Sequence, residues 1–385
     1  MNYTEQFKHS RHVRMSSPIL TKDINNIYGK YWNSIKHAVF GMSEIRARMG
    51  SLPTPWGASS GALFTLPPFI STNDRLCDLI DARAVEIIQE ATKSNKRIEL
   101  LYSGGIDSTL VLAALIKNSS QDQLSNITVL MTPSGIFENY NFYVNFIHNK
   151  IQCEPYHRVR VSNDYLNKTI LLHGDPGDCL FGPSIAMFEK MIPSGDHLRP
   201  WKDNLDIIVA NIEIRAKKSK GMPEGFSQWY TDKITNNLLE VQPPDVDSIA
   251  DWWWWHYYNF KWEFSIWRPF FRLRADPKEP ITAANIESYV RNTFFNTDKF
   301  QQWSWSNLQT HVPSIKDHKI QAKQYIFELD GDLEYFNHKI KIDSAPRFWE
   351  NAIHPMYYDN DWVGHYLTES GVKETALHLL ENYKG

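Results

Sequence analysis

The sequence has few of the features that are typical of secreted proteins, of proteins with structural metal sites or of membrane proteins. Its 385 residues include three cysteines, Cys77, Cys153 and Cys179, too few and too scattered for a disulfide framework or a structural zinc site. No apolar run reaches the about 18–20 residues that a membrane helix needs. The first dozen residues lack the apolar core of a signal peptide. We therefore expect a cytoplasmic protein without a membrane partner.

An excess of charge of one sign is also absent. Lys and Arg number 41 and Asp and Glu number 44, so the formal net charge is −3. This balance gives no general attraction to nucleic acid, although a local basic patch such as Arg215–Lys220 remains possible. The 14 histidines include no HExxH motif and no Cys/His zinc spacing, so we expect no transition-metal centre.

Aromatic residues, by contrast, are abundant, at 14% with 14 Trp. The segment Trp252–Phe271 is the richest, and Arg268, Arg272 and Arg274 lie in or beside it. These rings could stack on nucleobases next to the arginines. A buried helix is the commoner explanation, and we expect the aromatic residues to form core.

The pattern along the chain predicts three regions. Residues 1–94 form a mixed, irregular region, with helices near 24–40 and 78–93. Residues 95–200 alternate strands with helices, which predicts an α/β domain with a parallel sheet. Residues 201–385 form a mainly helical acceptor or lid domain, with helices near 251–267 and 316–328. Within the central domain we predict strands at 97–102, 127–132, 156–161 and 169–172, and helices at 109–117 and 141–150.

The segment Ser103-Gly104-Gly105-Ile106-Asp107-Ser108 lies between a predicted strand and a predicted helix. The glycines let an anion approach the main chain, and the following helix offers unpaired N–H groups. The hydroxyls of Ser103 and Ser108 can add donors. Asp107 would repel a bare phosphate unless a cation lay between them, and Mg²⁺ is the natural choice. A Gly-Gly turn followed by a capped helix is the alternative interpretation.

This hexapeptide resembles the SGGxDS motif of the ATP pyrophosphatase (PP-loop) superfamily. The resemblance implies that ATP and Mg²⁺ are used to adenylate a substrate oxygen, with release of pyrophosphate. It also implies that Ser103, Gly104, Gly105 and Ser108 cradle the phosphates. The backbone near Met131 would read the adenine edge.

A second motif, His173 to Gly182 (HGDPGDCLFG), resembles the SGEGSDELFGG segment of asparagine synthetase and β-lactam synthetase. Gly174 and Asp178 match that segment, Asp175 replaces a glutamate, and Cys179 replaces an acidic residue. The resemblance implies that Asp107 and Asp178 bind Mg²⁺ and that Asp175 acts on the amine nucleophile. A turn whose aspartates cap backbone amides is the alternative interpretation.

A third, looser similarity covers Lys341–Ser344, Glu350 and His354–Asp359, where the family has K-x-D-R and E-x-R-x-P-F-L-D. It implies a catalytic Lys341. The family's lysine that contacts pyrophosphate has no counterpart, because no R-x-K-x-G stretch follows Asp359. A cation is still needed to neutralise departing pyrophosphate. The candidates are Lys339, Lys341 and Arg347.

Nothing before the SGGIDS loop resembles the glutaminase domain of asparagine synthetases. We therefore expect the nitrogen to come from ammonia, an amine or a separate amidotransferase subunit. The leading hypothesis is an ATP-dependent carbon–nitrogen ligase acting on a small-molecule carboxylate. The alternatives are a PP-loop enzyme that modifies a tRNA or DNA base, and a non-catalytic nucleotide-binding relative.

Overall fold

The computed structural model describes most of the chain between residues 27 and 339. The described residues are 27–38, 45–52, 62, 64–131, 133–183, 188, 191–217, 222–276, 278–308, 311 and 317–339. The predicted catalytic Lys341, Arg347 and the rest of the third motif lie outside them. Among the helices in these ranges, none is long and apolar enough to cross a membrane.

Helices predominate over strands in the described ranges. The α-helices are α1 (Ile27–Ala38), α2 (Leu76–Ser94), α3 (Ile106–Asn118), α4 (Gln121–Leu124), α5 (Pro133–Glu138), α6 (Tyr140–Phe142), α7 (Asn163–Lys168), α8 (Gly177–Leu180), α9 (Leu205–Lys217), α10 (Phe226–Val241), α11 (Ile249–Trp255), α12 (Trp262–Arg272), α13 (Ala283–Asn292), α14 (Asp298–Ser306), α15 (Ile320–Asp330) and α16 (Leu333–His338). Shorter turns are π-helical at Tyr143–Ile147 and His256–Lys261, and 3₁₀ at Tyr156–Arg158, Asp196–Leu198 and Trp201–Asp203. The strands are β1 (Arg97–Tyr102), β2 (Ile127–Met131), β3 (Gln152–Pro155) and β4 (Thr169–His173).

The four strands form one all-parallel sheet in the order β3-β2-β1-β4. The expected α/β fold with a parallel sheet and a large helical part is therefore confirmed at this level. Both β2 and β4 are buried along their whole length, as strands of a parallel sheet covered on both faces should be. Strands β2 and β3 are added on one side of β1 and β4 on its other side, so the order of strand addition reverses between β1 and β4, and we call this place the reversal point of the sheet. Ligands of such sheets bind at this point, outside the carboxyl ends of the strands.

The third predicted strand is wrong. Residues 156–161 (YHRVRV) alternate apolar and charged side chains, which favours a strand, but they form a 3₁₀ turn and a single bridge from Val161 to Arg274. The strand at this edge is Gln152–Pro155, which is half-buried and carries little apolar patterning. The predicted helix 141–150 is also shorter, since only α6 and a π-helical turn form there.

The chain divides into two compact units, each built from two stretches of sequence. The first unit comprises residues 1–68 and 187–268, and the second comprises residues 69–186 and 269–385. The second unit contains the sheet, and the first contains α9, α10 and α11. These units cut across the predicted segments 1–94, 95–200 and 201–385, which describe changes in sequence pattern and stay a prediction.

Aromatic side chains form the core of the first unit. Trp252, Trp253, Trp254 and Trp255 are all at most 1% exposed. Trp254 stacks on Tyr258 with ring centroids 4.4 Å apart. The expectation that these rings are core residues is confirmed, because none of the four is accessible to a nucleobase.

Helices α2, α3 and α15 pack together in the second unit. The middle of α3, from Leu110 to Leu115, is fully buried on all sides. A helix that is apolar all round has to be buried in this way. Its burial fixes the position of its first turn, which carries Asp107.

Candidate functional site

The loop after β1 is held by its own serines and by one glycine at which a side chain would clash with the neighbouring backbone. Gly104 has φ +76°, and a Cβ built on it would lie 2.3 Å from the carbonyl oxygen of Gly135. The hydroxyl oxygens of Ser103 and Ser108 are 3.1 Å apart, and Ser108 donates to the carbonyl oxygen of Gly105 at 3.1 Å. Both serine hydroxyls therefore shape the loop. Any contact they make with phosphate comes in addition to these bonds.

The loop after β4 lies against the first turn of α3. A Cβ on Gly174 would lie 2.7 Å from the amide nitrogen of Ser108, and one on Gly177 would lie 2.6 Å from the carboxyl carbon of Asp107. Side chains at these two positions would push the two loops apart. The SGGIDS and HGDPGD motifs, more than sixty residues apart in the sequence, therefore meet at the reversal point between β1 and β4.

Asp107 and Asp178 point at the same atom. The ammonium nitrogen of Lys319 lies 2.7 Å from each carboxylate oxygen of Asp107 and 2.7 Å from Oδ1 of Asp178. Asp107 is in the first turn of α3, Asp178 is in α8, and Lys319 immediately precedes α15. The two aspartates predicted to share a cation thus converge on one in the structure, and that cation is a lysine.

Lys319 is the functional residue that the sequence analysis missed. Its side chain is 1% exposed. Burial alone would lower its pKa, but the carboxylates of Asp107 and Asp178 outweigh this effect and hold the pKa well above its ordinary value. Nothing in the sequence indicates it, because the helix predicted near 316–328 includes this position, whereas α15 begins at Ile320 and Lys319 is its N-cap.

The surroundings of Lys319 are closely packed. Its nitrogen lies 5.9 Å from the ring centroid of Phe181, and a cavity of about 10 Å³ adjoins it, which is room for about one water molecule. The neighbouring His318 is buried, which lowers its pKa to about 3, and its Nε2–H donates to the carbonyl oxygen of Pro183. The ammonium is therefore the one positive charge that His318 and Lys319 bring to the aspartates near neutral pH.

Asp175, the predicted residue for the amine, lies next to a buried tyrosine. Burial and the nearby Asp175 carboxylate both raise the pKa of Tyr289 well above its ordinary value. The Tyr289 hydroxyl lies 3.0 Å from Nε2 of His173, the last residue of β4. Tyr289 belongs to α13, which packs on β4, and nothing in its local sequence indicates this position.

Two other residues predicted for the site, Met131 and Lys339, occupy positions that contacts within the fold are enough to explain. Met131 ends β2, is 1% exposed and pairs in register with Tyr102, so its backbone reaches the carboxyl edge of the sheet. Lys339, a candidate cation for pyrophosphate, is buried beside Glu138, 3.4 Å from its carboxylate and 2.9 Å from its carbonyl oxygen. Its charge is therefore committed to Glu138.

The two aspartates supply a donor set that fits Mg²⁺ carried by a phosphate ligand. Mg²⁺ in such sites uses one or two carboxylates and takes its other ligands from phosphate oxygens and water. Within the described ranges, no group of three or more His, Cys, Asp or Glu side chains could hold a metal ion by protein ligands alone. Asp107 and Asp178 would therefore hold the cation together with oxygens from water or from a phosphate ligand.

Comparison with known proteins leaves the family of the chain open. No model of a protein family matches the sequence, and no curated protein matches it. The resemblance to the PP-loop superfamily therefore stays a prediction from the two sequence motifs.

Proposed function

We propose that the chain is an ATP-dependent, AMP-forming carbon–nitrogen ligase of the PP-loop type. A carboxylate oxygen of the substrate attacks the α-phosphorus of ATP, and the bond to pyrophosphate breaks. An amine or ammonia then attacks the acyl carbon, AMP leaves with the electron pair of the broken C–O bond, and an amide results. The observation that supports this most is the convergence of Asp107 and Asp178 on one cation at the reversal point of the sheet.

The first turn of α3 is the proposed phosphate site. Gly105 is its N-cap and has no side chain to cap the helix, so the helix end can offer amides to an anion. Gly104 holds the loop close to α5, and Ser103 and Ser108 brace it. Mg²⁺, when bound with ATP, would neutralise charge on the phosphates and on the leaving pyrophosphate.

Lys319 is the cation in the described structure best placed to face pyrophosphate. Lys339 is bound to Glu138, and Lys341 and Arg347 lie outside the described residues. The proposed part of Lys341 in catalysis therefore stays a proposal from the sequence. Lys319 already lies 2.7 Å from Asp107, next to the helix end that would receive the phosphates.

Asp175 is the proposed group that orients the amine and accepts its proton. It follows β4 at the same sheet edge as Asp178, and its carboxylate is near enough to raise the pKa of Tyr289, whose hydroxyl is bonded to His173. Its side chain is shorter than the glutamate of the family. The acceptor of the acyl group, a small carboxylate, and the source of nitrogen, free or from an amidotransferase subunit, are proposed on the resemblance alone.

The test is exchange of labelled pyrophosphate into ATP with Mg²⁺ and a pool of carboxylate metabolites. Asp107→Asn and Asp178→Asn should each reduce exchange by at least about 100-fold, because each removes a charge that would hold the cation. Asp81→Asn is the matched control, since Asp81 pairs with Lys117 at 2.8 Å on the same unit, away from the sheet edge. Exchange that survives in both site variants would refute the assignment.

One second candidate has an observation in its favour. Lys319 neutralises part of the charge of the aspartate pair, as a protein that binds a nucleotide without using a metal would require. Such a non-catalytic protein would bind ATP and release neither AMP nor pyrophosphate. The structure gives less support to nucleic-acid modification. The Trp252–Trp255 rings are buried, and Arg274 is buried with its guanidinium bonded to the carbonyl oxygen of Glu279.

A further inference from the structure

The ammonium of Lys319 uses every hydrogen-bond donor it has on the two aspartates. A lysine ammonium carries three N–H groups and accepts none. Three carboxylate oxygens lie 2.7 Å from it, two on Asp107 and one on Asp178. While the lysine stays there, three of the four carboxylate oxygens that could bind a metal are occupied.

Lys319 is held in this place against its local preferences. Its φ of 54° lies in the left-handed region, which is unfavourable for a residue other than glycine. It also puts a positive charge at the N-terminus of α15, where the helix dipole disfavours cations. The ion pairs with Asp107 and Asp178 are the interactions that offset these costs.

A divalent cation and this ammonium cannot share the aspartate pair. Both would use the same oxygens, and two cations a few ångströms apart with little water between them repel strongly. A metal ion can therefore enter only when the ammonium leaves. The ammonium can leave at low cost only when another anion receives it, and the proposed phosphate site adjoins Asp107.

We propose that Lys319 is an internal counter-ion that excludes free divalent cations from Asp107 and Asp178 until a phosphate ligand draws its ammonium away. The metal then enters with the nucleotide and not before it. The order of binding rests on the proposed function, which brings a nucleotide with its divalent cation to the two aspartates, whereas the exclusion of free cations depends on Lys319 and the aspartates alone. The counter-ion role adds the order in which the metal ion and the nucleotide bind, and it makes Lys319 the residue that sets this order.

The experiment measures binding of Mn²⁺ alone to the full chain by electron paramagnetic resonance. Wild type should bind Mn²⁺ no better than Asp107→Asn/Asp178→Asn does. Lys319→Met should bind one Mn²⁺ at least about tenfold more tightly than wild type. Lys319→Arg keeps a cation at the site and should behave as wild type. Lys117→Met, which removes a lysine from Asp81 on the same unit, is the matched control and should change nothing.

Lys319→Gln provides a second route if the Met variant does not fold. Its amide can still donate to one carboxylate, and it should also gain Mn²⁺ affinity. The comparison of wild type with the double Asn variant gives a test that does not depend on any Lys319 variant. Tight binding of Mn²⁺ alone to wild type, lost in the double Asn variant, would overturn the inference, as would equal affinities of wild type and the folded Lys319 variants.

Pyrophosphate exchange by wild type separates this result from the proposed function. If pyrophosphate exchange occurs but the Lys319 variants bind Mn²⁺ no more tightly than wild type, the counter-ion role of Lys319 is refuted and the ligase proposal stands. If the Lys319 variants bind Mn²⁺ more tightly but wild type shows no pyrophosphate exchange, the counter-ion role of Lys319 is supported and the ligase proposal is refuted.

Discussion

At the scale of single residues, the main feature of the described site is the balance of charge between two carboxylates and one ammonium. Two carboxylates that meet at one point repel each other unless a cation lies between them. Lys319 supplies that cation from a position 212 residues after Asp107 and 141 residues after Asp178. The three residues therefore form one electrostatic unit, and removing the cation should affect stability as well as ligand binding.

Replacement of Lys319 by Met should lower the free energy of unfolding by about 3–5 kcal/mol, because it leaves two mostly buried carboxylates without a counter-charge. The pair of Lys117 and Asp81, whose side chains are 42% and 31% exposed, gives the comparison, and Lys117→Met should cost about 1 kcal/mol or less. Urea denaturation of both variants measures the difference. Equal losses would mean that the Lys319 pairs are no stronger than a surface salt bridge.

At the scale of elements, much of the site's position follows from the order of the strands. Asp107 and Asp178 follow neighbouring parallel strands, so the sequence motifs alone predict that they end at the same sheet edge. Strands β1, β2 and β4 could be predicted because they are short apolar runs between helical segments. Strand β3 could not, because its edge position leaves Gln152–Pro155 without an apolar pattern.

Lys319 and Tyr289 could not be found in this way. Both reach the site through tertiary packing, α15 on α3 and α13 on β4, and sequence spacing carries no information on such contacts. The convergence of the two aspartates was predictable, and the identity of the cation between them was not.

Gly104 offers a test of the loop between β1 and α3. Gly104→Ala should unfold at lower temperature than Gly195→Ala. Both glycines have φ near +75°, but a Cβ on Gly104 meets the Gly135 carbonyl oxygen at 2.3 Å, and one on Gly195 meets nothing within 4 Å. Differential scanning calorimetry measures the two midpoints. Matching midpoints would show that the loop can move away from α5 without cost.

At the scale of the whole molecule, buried histidines make stability depend on pH. Burial lowers the pKa of His256 to about 3, of His311 to about 4 and of His318 to about 3. In the unfolded chain these groups protonate near the ordinary value of about 6.5. Between these values unfolding takes up protons, so the contribution to stability is full above pH 6.5 and is lost as the pH falls.

The free energy of unfolding should therefore decrease from pH 7.5 to pH 5.5, with a slope approaching about 1.4 kcal/mol per pH unit for each histidine. Asp330 acts in the opposite direction, because burial raises its pKa to about 6, and it offsets about one histidine. Urea midpoints across this range measure the slope, and His256→Gln should reduce it. Midpoints that stay constant or rise on acidification would contradict the prediction.

The division of the second unit into residues 69–186 and 269–385 bears on how the protein is made. Asp178, the second of the two aspartates to be made, leaves the ribosome 141 residues ahead of Lys319. At about 5–20 residues per second, the growing chain carries the acidic pair without its partner for roughly 7–28 s. Asp107, Asp178 and Lys319 can come together only after translation has passed α15, so the second unit cannot complete its folding before then.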